Sequence, residues 1–402
     1  MRSNNMIDSP MYKTVYLKRG KDAGVKRLHP WIFSGAIAHL DDGIVEGDTV
    51  RVLDADGSFL AVGHYQPGSI AVRILSFRDE MIDRLFFTER IAAALRLRRQ
   101  LSLITGQNTI YRLIHGEGDG LPALVVDVYG TTAVVQAHSV GMHLCRKEIA
   151  SILAELMADS LQCVYYKSDQ TLPYMAETSE ESGYLWGRET SDTAIENGLR
   201  FHIDWLKGQK TGFFVDQRAN RSLLEKFSKD KKVLNMFCYT GGFSVYAMRG
   251  GASMVHSVDS SSRAVEITDA NIRLNFQNDT RHQSFACDAF KFLADMQEDY
   301  DIIVLDPPAF AKHRDALHNA LKGYARLNAA AMKKIKKGGI LFTFSCSQAV
   351  SPDQFRTAVF TAAARSGRFV RILHQLHQPA DHPVSIYHPE GEYLKGLVLY
   401  VE

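Results

Sequence analysis

The chain has 402 residues, of which 46% are hydrophobic and 23% charged, and its formal net charge is +2 at pH 7. That length predicts two to three domains with real cores, and so weak an overall field leaves any nucleic-acid contact to local basic patches. No apolar run nears the roughly 20 residues that span a bilayer, the first ten residues are polar with no signal-peptide core, and five cysteines without paired spacing point to a reducing cytoplasm.

In chain order, residues 12–78 read as short strands punctuated by glycine. Gly47-Asp48-Thr49-Val50-Arg51-Val52-Leu53 leads into the turn Asp54-Ala55-Asp56-Gly57, and further strands follow at 59–65 and 70–75. Such spacing predicts a small β-barrel. Early in this segment lie Lys18, Arg19, Lys21, Lys26 and Arg27, opposed in the local sequence by Asp22 alone. A cluster of that kind suits phosphates, positioning RNA without reading its sequence; the plain alternative is a solvated loop.

Residues 83–103 predict a helix. Leu85, Phe86, Ile91, Leu95, Leu97 and Leu101 mark one broad apolar side, with Arg90, Arg96, Arg98 and Arg99 on a solvated face. Strands at 111–114, 123–128 and 132–137, a helix near 142–158 and a strand at 163–167 complete an α+β unit. The stretch 177–188 is polar and reads as loop or linker.

From about residue 195 strand and helix alternate. Strands are expected at 233–237, 254–259, 283–288, 300–305 and 339–344, and helices at 243–250, 261–276, 289–297, 319–337 and 352–366. That pattern is a doubly wound parallel sheet, completed by strands at 368–375 and 394–401. The expected domains are a barrel over 1–80, a central α+β domain over 81–190 and an α/β domain over 191–402. There is no CxxC or HExxH, and His374 and His377 read as a solvated pair, so no metal is expected. Lys333, Lys334, Lys336 and Lys337 sit at a helix C-terminus, where the helix dipole favours them.

Ligands of doubly wound sheets bind beyond the carboxyl ends of the strands. The first such strand ends at Phe237 and runs into Cys238-Tyr239-Thr240-Gly241-Gly242-Phe243. The glycines let backbone approach a ligand above a helix N-terminus. Asp259 ends the second strand, where an acid suits a ribose diol, and Asp288 ends the third, where it suits an adenine amino group. A nicotinamide cofactor would want GxGxxG for its pyrophosphate, which is absent. S-adenosylmethionine carries ribose, adenine and an amino-acid tail without phosphate, and one Gly pair is enough for it. The alternative is that each Asp simply caps the helix after it.

Two further strand ends carry Leu305-Asp306-Pro307-Pro308-Ala309-Phe310 and Phe344-Ser345-Cys346-Ser347. Carbon 5 of a pyrimidine is a poor nucleophile until a thiolate adds at carbon 6, and Cys346 is the natural thiolate. Asp306, its backbone stiffened by two prolines, is placed to hydrogen-bond ring N3 or the exocyclic amine. Phe310 is placed to stack on an unstacked base. Acid-Pro-Pro-aromatic alone also fits enzymes that methylate exocyclic amino nitrogens, which need no thiol; Cys346 tips the choice toward carbon. Cys238 lies in the cofactor turn without an acid partner.

These residues together resemble the bacterial 23S ribosomal RNA cytosine-C5 methyltransferases that carry an N-terminal PUA domain, over nearly the whole chain. The PUA-like part shows Leu28-His29-Pro30-Trp31-Ile32-Phe33-Ser34-Gly35. The middle part shows Tyr111-Arg112-Leu113-Ile114 and Gly116-Glu117-Gly118-Asp119-Gly120-Leu121-Pro122. Gly208-Gln209-Lys210-Thr211-Gly212-Phe213-Phe214-Val215-Asp216-Gln217-Arg218 leads into the catalytic part. Ala380-Asp381-His382-Pro383 and Tyr393-Leu394-Lys395-Gly396 close the series. The resemblance implies a class I methyltransferase domain of Rossmann-like form, Cys346 as nucleophile, and S-adenosylmethionine on the Gly turn with Gln217 and Arg218 near it. It further implies 23S ribosomal RNA as partner, a homodimer and a cytoplasmic location, with no membrane. Two departures bear on where substrate passes. Gln348 stands where glycine is expected, and residues 168–183 lack an expected basic stretch. The rival readings are an amino-nitrogen methyltransferase on adenine or guanine and a non-catalytic RNA-binding assembly factor.

Overall fold

The computed structural model describes residues 12–169, 171–172, 182–311 and 314–402. The polar residues 1–10, and positions 170 and 173–181 of the segment lacking basic residues, lie outside the described residues. The chain forms two compact units. One comprises Met1–Ala194, Ile203–Phe213 and Ala380–Gly391; the other comprises Ile195–His202, Phe214–Pro379 and Glu392–Glu402.

The first unit opens with β1 (Thr14–Leu17), the one-turn helix α1 (Ala23–Lys26), β2 (Trp31–Phe33), β3 (Ile37–Leu40), β4 (Thr49–Leu53), β5 (Phe59–Tyr65) and β6 (Ile70–Ser76). Its strands make a six-stranded sheet in the order β2-β6-β5-β4-β1-β3. Strand β4 alternates inward and outward, burying Val50 and Val52 completely, as a half-buried strand should.

Helix α2 (Arg84–Gln100) starts at Asp83, whose carboxylate accepts from the Phe86 N–H at 3.0 Å. It shares a core with β7 (Ile110–His115), β8 (Leu124–Tyr129), β9 (Thr132–Ala137), β10 (Cys163–Tyr166) and β11 (Gly183–Gly187), ordered β11-β10-β9-β8-β7. Helices α3 (Val140–Leu144) and α4 (Arg146–Leu156) carry the chain from β9 to its parallel neighbour β10.

Two expectations need correction in this unit. Strand β11 occupies part of the stretch read as linker, because Trp186 and Tyr184 pair across to Val164 and Tyr165. Arg98 is not on a solvated face: it is fully buried. It falls on the stripe of Phe87, Ile91, Ala94 and Leu95 and grips Asp119 bidentately at 2.5 and 2.8 Å. Its remaining donors reach the carbonyls of Arg112 and Asp381, each at 2.8 Å.

The second unit begins within the hairpin of β12 (Thr193–Glu196) and β13 (Leu199–His202). It continues with α5 (Arg218–Phe227), β14 (Lys232–Met236), α6 (Gly242–Arg249), β15 (Met254–Asp259), α7 (Ser262–Asn275), β16 (His282–Ala286) and α8 (Ala289–Asp295). Then come β17 (Ile302–Leu305), α9 (Leu317–Lys334), β18 (Gly339–Ser345), α10 (Pro352–Ser366), β19 (Val370–His377) and β20 (Lys395–Val401). The seven-stranded sheet runs β16-β15-β14-β17-β18-β20-β19. Strands β14 to β18 are mutually parallel and β20 is antiparallel to both neighbours. Ile302–Leu305 is buried throughout, as the central strand of a sheet covered on both faces must be. The order reverses between β14 and β17, so a crevice opens beyond their carboxyl ends. Helix α10 is stopped and started by its own residues: a capping box of Ser351 and Gln354, proline at the first turn, and Gly367 at φ +71° after the last. The α5 helix is absent from the expected elements, and the ends of the expected strands and helices of this sheet shift by three residues or fewer. No helix among the described residues is long and apolar enough to cross a membrane.

Candidate active site

The crevice is floored by the turn after β14. Its backbone takes the left-handed region at Phe237 (φ +59°), Tyr239 (φ +48°) and Gly241 (φ +78°). Two non-glycine residues held this way mark a loop whose shape is imposed by its surroundings. The surroundings are visible. Asp259, the last residue of β15, accepts the Tyr239 N–H at 2.9 Å and the Ser261 N–H at 3.0 Å. Thr268 donates to the Tyr239 carbonyl at 2.9 Å, and Asn271 to that of Thr240 at 2.8 Å. A Cβ on Gly241 would stand 2.6 Å from Thr268 Cγ2, so glycine is required on both counts. Cys238 is buried, and its thiol is pushed up above the usual range by that burial, with Asp259 adding to it. It is an inert core thiol. Asp288 lies two residues beyond β16 and caps α8, accepting the Lys291 N–H at 2.9 Å through one oxygen.

Asp306 follows β17 directly and Cys346 follows β18, and those strands are adjacent and parallel. Gln217 Nε2 donates to Asp306 Oδ2 at 3.0 Å, and Asn220 Nδ2 donates to Gln217 Oε1 at 2.7 Å. Gln217 therefore aims an acid and cannot drift. Burial raises the Asp306 carboxyl to about 7, and the neighbouring Asp216 carboxylate adds to the effect. Asp216 itself accepts from Tyr393 Oη at 2.7 Å, while its Oδ1 is buried without a hydrogen-bond partner. Arg218 opens α5 and is buried beside Gln217. Arg221, one turn on, binds Glu196 at 2.9 and 2.7 Å and the Phe214 carbonyl at 2.9 Å.

Around Cys346, a half-buried thiol in no disulfide, the backbone is fixed by buried side chains. Ser345 Oγ donates to Tyr324 Oη at 2.9 Å, and Ser347 Oγ to the Ala311 carbonyl at 2.6 Å. Lys395, at the start of β20, donates to the carbonyls of Ser347 at 2.5 Å and Val350 at 2.7 Å. Burial lowers this ammonium to about 8, and the nearby Cys346 opposes that shift by favouring its charge. Phe310 lies against Tyr324 with ring centroids 4.6 Å apart. A Cβ at Gly323 would be 3.0 Å from the Phe310 ring, so the small residue on α9 gives that ring its place. Asp216, Tyr324 and Lys395 carry no motif of their own. Only the longer strings around Asp216 and Lys395 hinted at them.

The basic cluster of the first unit is less free than its sequence implies. The fold brings Asp56 to Arg19 and Asp54 to within 3.6 Å of Lys26, which also pairs with Asp22. Lys18 donates to the Gly35 carbonyl at 3.1 Å and Arg27 to that of Ala23 at 3.2 Å, and both stay exposed. Lys21 and Arg27 line a cleft of about 730 Å³ together with His29, Trp31, Phe33 and Tyr387. Cations beside aromatic faces suit a single-stranded nucleotide. The aromatic contribution of residue 387 is invisible in sequence, because it comes from a distant segment.

A family model of S-adenosylmethionine-dependent methyltransferases matches residues 174–391, and a PUA-like domain model matches 15–77. Among curated proteins, the ribosomal RNA large subunit methyltransferase I of Pseudoalteromonas translucida is 39% identical over 398 residues, covering 97% of this chain and 100% of that one. Its namesake in Shewanella frigidimarina is 40% identical over 396 residues, covering 96% and 99%. A Streptococcus mutans protein assigned as a SAM-dependent methyltransferase superposes with a TM-score of 0.83 at 22% identity, over 96% of this chain and all of that one, which speaks to the fold.

Proposed function

The chain belongs to the family of ribosomal RNA large subunit methyltransferases I, S-adenosylmethionine-dependent enzymes with a PUA-like domain, and we propose that it methylates carbon 5 of a cytosine through a covalent adduct on Cys346. The observation that carries the reading is the placement of Cys346 and Asp306 at the ends of adjacent parallel strands, beside a crevice suited to the cofactor.

The residues fit S-adenosylmethionine. The Gly241 turn leaves no room for a Cβ and presents backbone to the crevice, and Asp259 stands at the second strand end with its carboxylate already oriented. Phe237, Tyr239, Thr240, Gly241 and Asp259 would hold its ribose and amino-acid tail. Gln217 and Arg218 would flank it, and Asp288 would reach the adenine amine. Cys238 contributes its backbone there. When bound, the cofactor supplies an electrophilic methyl group.

The chain does the rest. Cys346 Sγ forms a bond to carbon 6, and the ring's electron pair moves to carbon 5. Asp306, half-protonated near pH 7, donates to N3 and accepts charge developing at that edge. Phe310, backed by Tyr324, stacks on the base. Carbon 5 takes the methyl group, a base removes its proton, and the returning electron pair breaks the C6–S bond, releasing the thiolate. Lys395 holds the turn after Cys346, keeping the thiol over carbon 6.

RNA phosphates fall to Lys18, Arg19, Lys26 and Arg27, with the aromatic cleft taking a neighbouring nucleotide. The PUA-like and central parts are proposed as separate functional domains within the first unit, and the protein as cytoplasmic. A homodimer is favoured by the edge strand β19, which exposes Ile372 and Leu373 and is preceded by exposed Phe369. The test of the reaction is nucleoside mass spectrometry of ribosomal RNA with and without the gene: loss of 5-methylcytidine supports it, and loss of a methylated adenine or guanine instead overturns it.

A further inference from the structure

A cluster in the first unit has no part in methyl transfer. His29 Nε2 lies 3.5 Å from Glu390 Oε2, and His388 Nε2 lies 3.8 Å from the same oxygen. The three ligand atoms fall within 4.8 Å of one another. His388 is only 2% exposed, yet neither of its ring nitrogens has a hydrogen-bond partner. An unsatisfied buried polar group is destabilising, so the fold retains it against a penalty. Its ring is fixed by Trp31, at a centroid distance of 4.3 Å, and Trp31 is anchored by donating Nε1–H to Glu117 at 2.7 Å.

We propose that His29, His388 and Glu390 bind one divalent transition-metal ion, with zinc preferred, tying the 388–390 turn to the strand that carries Trp31. Two imidazoles and one carboxylate are a donor set zinc accepts, with a fourth position left to water. Ligands about 2.0–2.2 Å from a tetrahedral ion stand about 3.4 Å apart. The Glu390 oxygen already stands 3.5 and 3.8 Å from the two imidazole nitrogens. Those nitrogens lie within 4.8 Å of each other, and the partly exposed His29 ring can close the difference of at most about 1.4 Å. The Trp31 N–H donates to His29 Nδ1 at 3.2 Å, and the Trp31 carbonyl lies 3.3 Å from the same nitrogen. Metal on Nε2 would exchange that accepted bond for one in which Nδ1–H donates to the carbonyl, the usual second contact of a metal-bound histidine. An ion there gives the buried His388 Nε2 its missing partner.

The test uses full-length protein stripped with a chelator and titrated with zinc(II) alone by calorimetry, then loaded with cobalt(II) for absorption spectroscopy. One equivalent should bind, and the cobalt form should show ligand-field bands without a thiolate charge-transfer band. Glu390→Gln and His29→Gln, both at accessible positions, should each weaken binding at least tenfold while the circular dichroism stays unchanged. Absence of stoichiometric binding, binding indifferent to both substitutions, or a thiolate band would overturn the site.

Discussion

Asp306 is held where a carboxylate is costly, and that has a measurable sign. Its carboxyl titrates near 7 in the folded protein against an ordinary 3.8, so the folded state binds more protons than the unfolded one between those values. Stability of the ligand-free protein therefore falls as pH rises from about 4 through 7. A rise of that size corresponds to at most about 4 kcal/mol. Asp306→Asn removes the charge and keeps an acceptor for Gln217. It should raise the melting temperature at pH 8 more than at pH 5, read by scanning calorimetry, while methyl transfer is lost. An equal gain at both pH values would contradict a strained carboxylate. Lys395 makes a second residue-scale prediction. Lys395→Met frees the Ser347 and Val350 carbonyls and should cut kcat at least tenfold with cofactor affinity unchanged by calorimetry; a change in affinity alone would refute its role in positioning Cys346.

At the scale of elements, the Gly241 turn is the most constrained piece. Gly241→Ala must adopt φ +78° and push on Thr268, costing about 1–2 kcal/mol for the backbone alone. S-adenosylmethionine affinity should drop with it, as calorimetry would show. Strands β17 and β18 are legible in sequence because nearly continuous apolar runs end in polar residues, and β14 and β15 because they alternate in step with the helices despite Asn235, His256 and Ser257 inside them; the ends of β15, β17 and β18 lead to Asp259, Asp306 and Cys346. Helix α5 is not legible, since Arg218, Asn220 and Arg221 are polar residues that turn inward, Asn220 to meet Gln217 and Arg221 to meet Glu196 and the Phe214 carbonyl. Arg98 misleads for the same reason: its buried partner Asp119 is remote in sequence. Arg98→Met leaves Asp119 unpaired and should destabilise the protein by about 3–5 kcal/mol in urea unfolding.

For the molecule as a whole, the proposed division is RNA capture in the first unit and methyl transfer in the second. Lys18→Glu with Arg27→Glu should weaken RNA binding and shallow its salt dependence, by about one unit of slope per lost phosphate contact. The low net charge makes this local loss visible. The central claim is that Cys346 attacks the base, and one measurement tests it most directly: nucleoside mass spectrometry of ribosomal RNA from a deletion strain carrying either the wild-type gene or Cys346→Ala. The wild type should restore 5-methylcytidine and Cys346→Ala none, although the variant still binds S-adenosylmethionine. Full restoration by Cys346→Ala would contradict it.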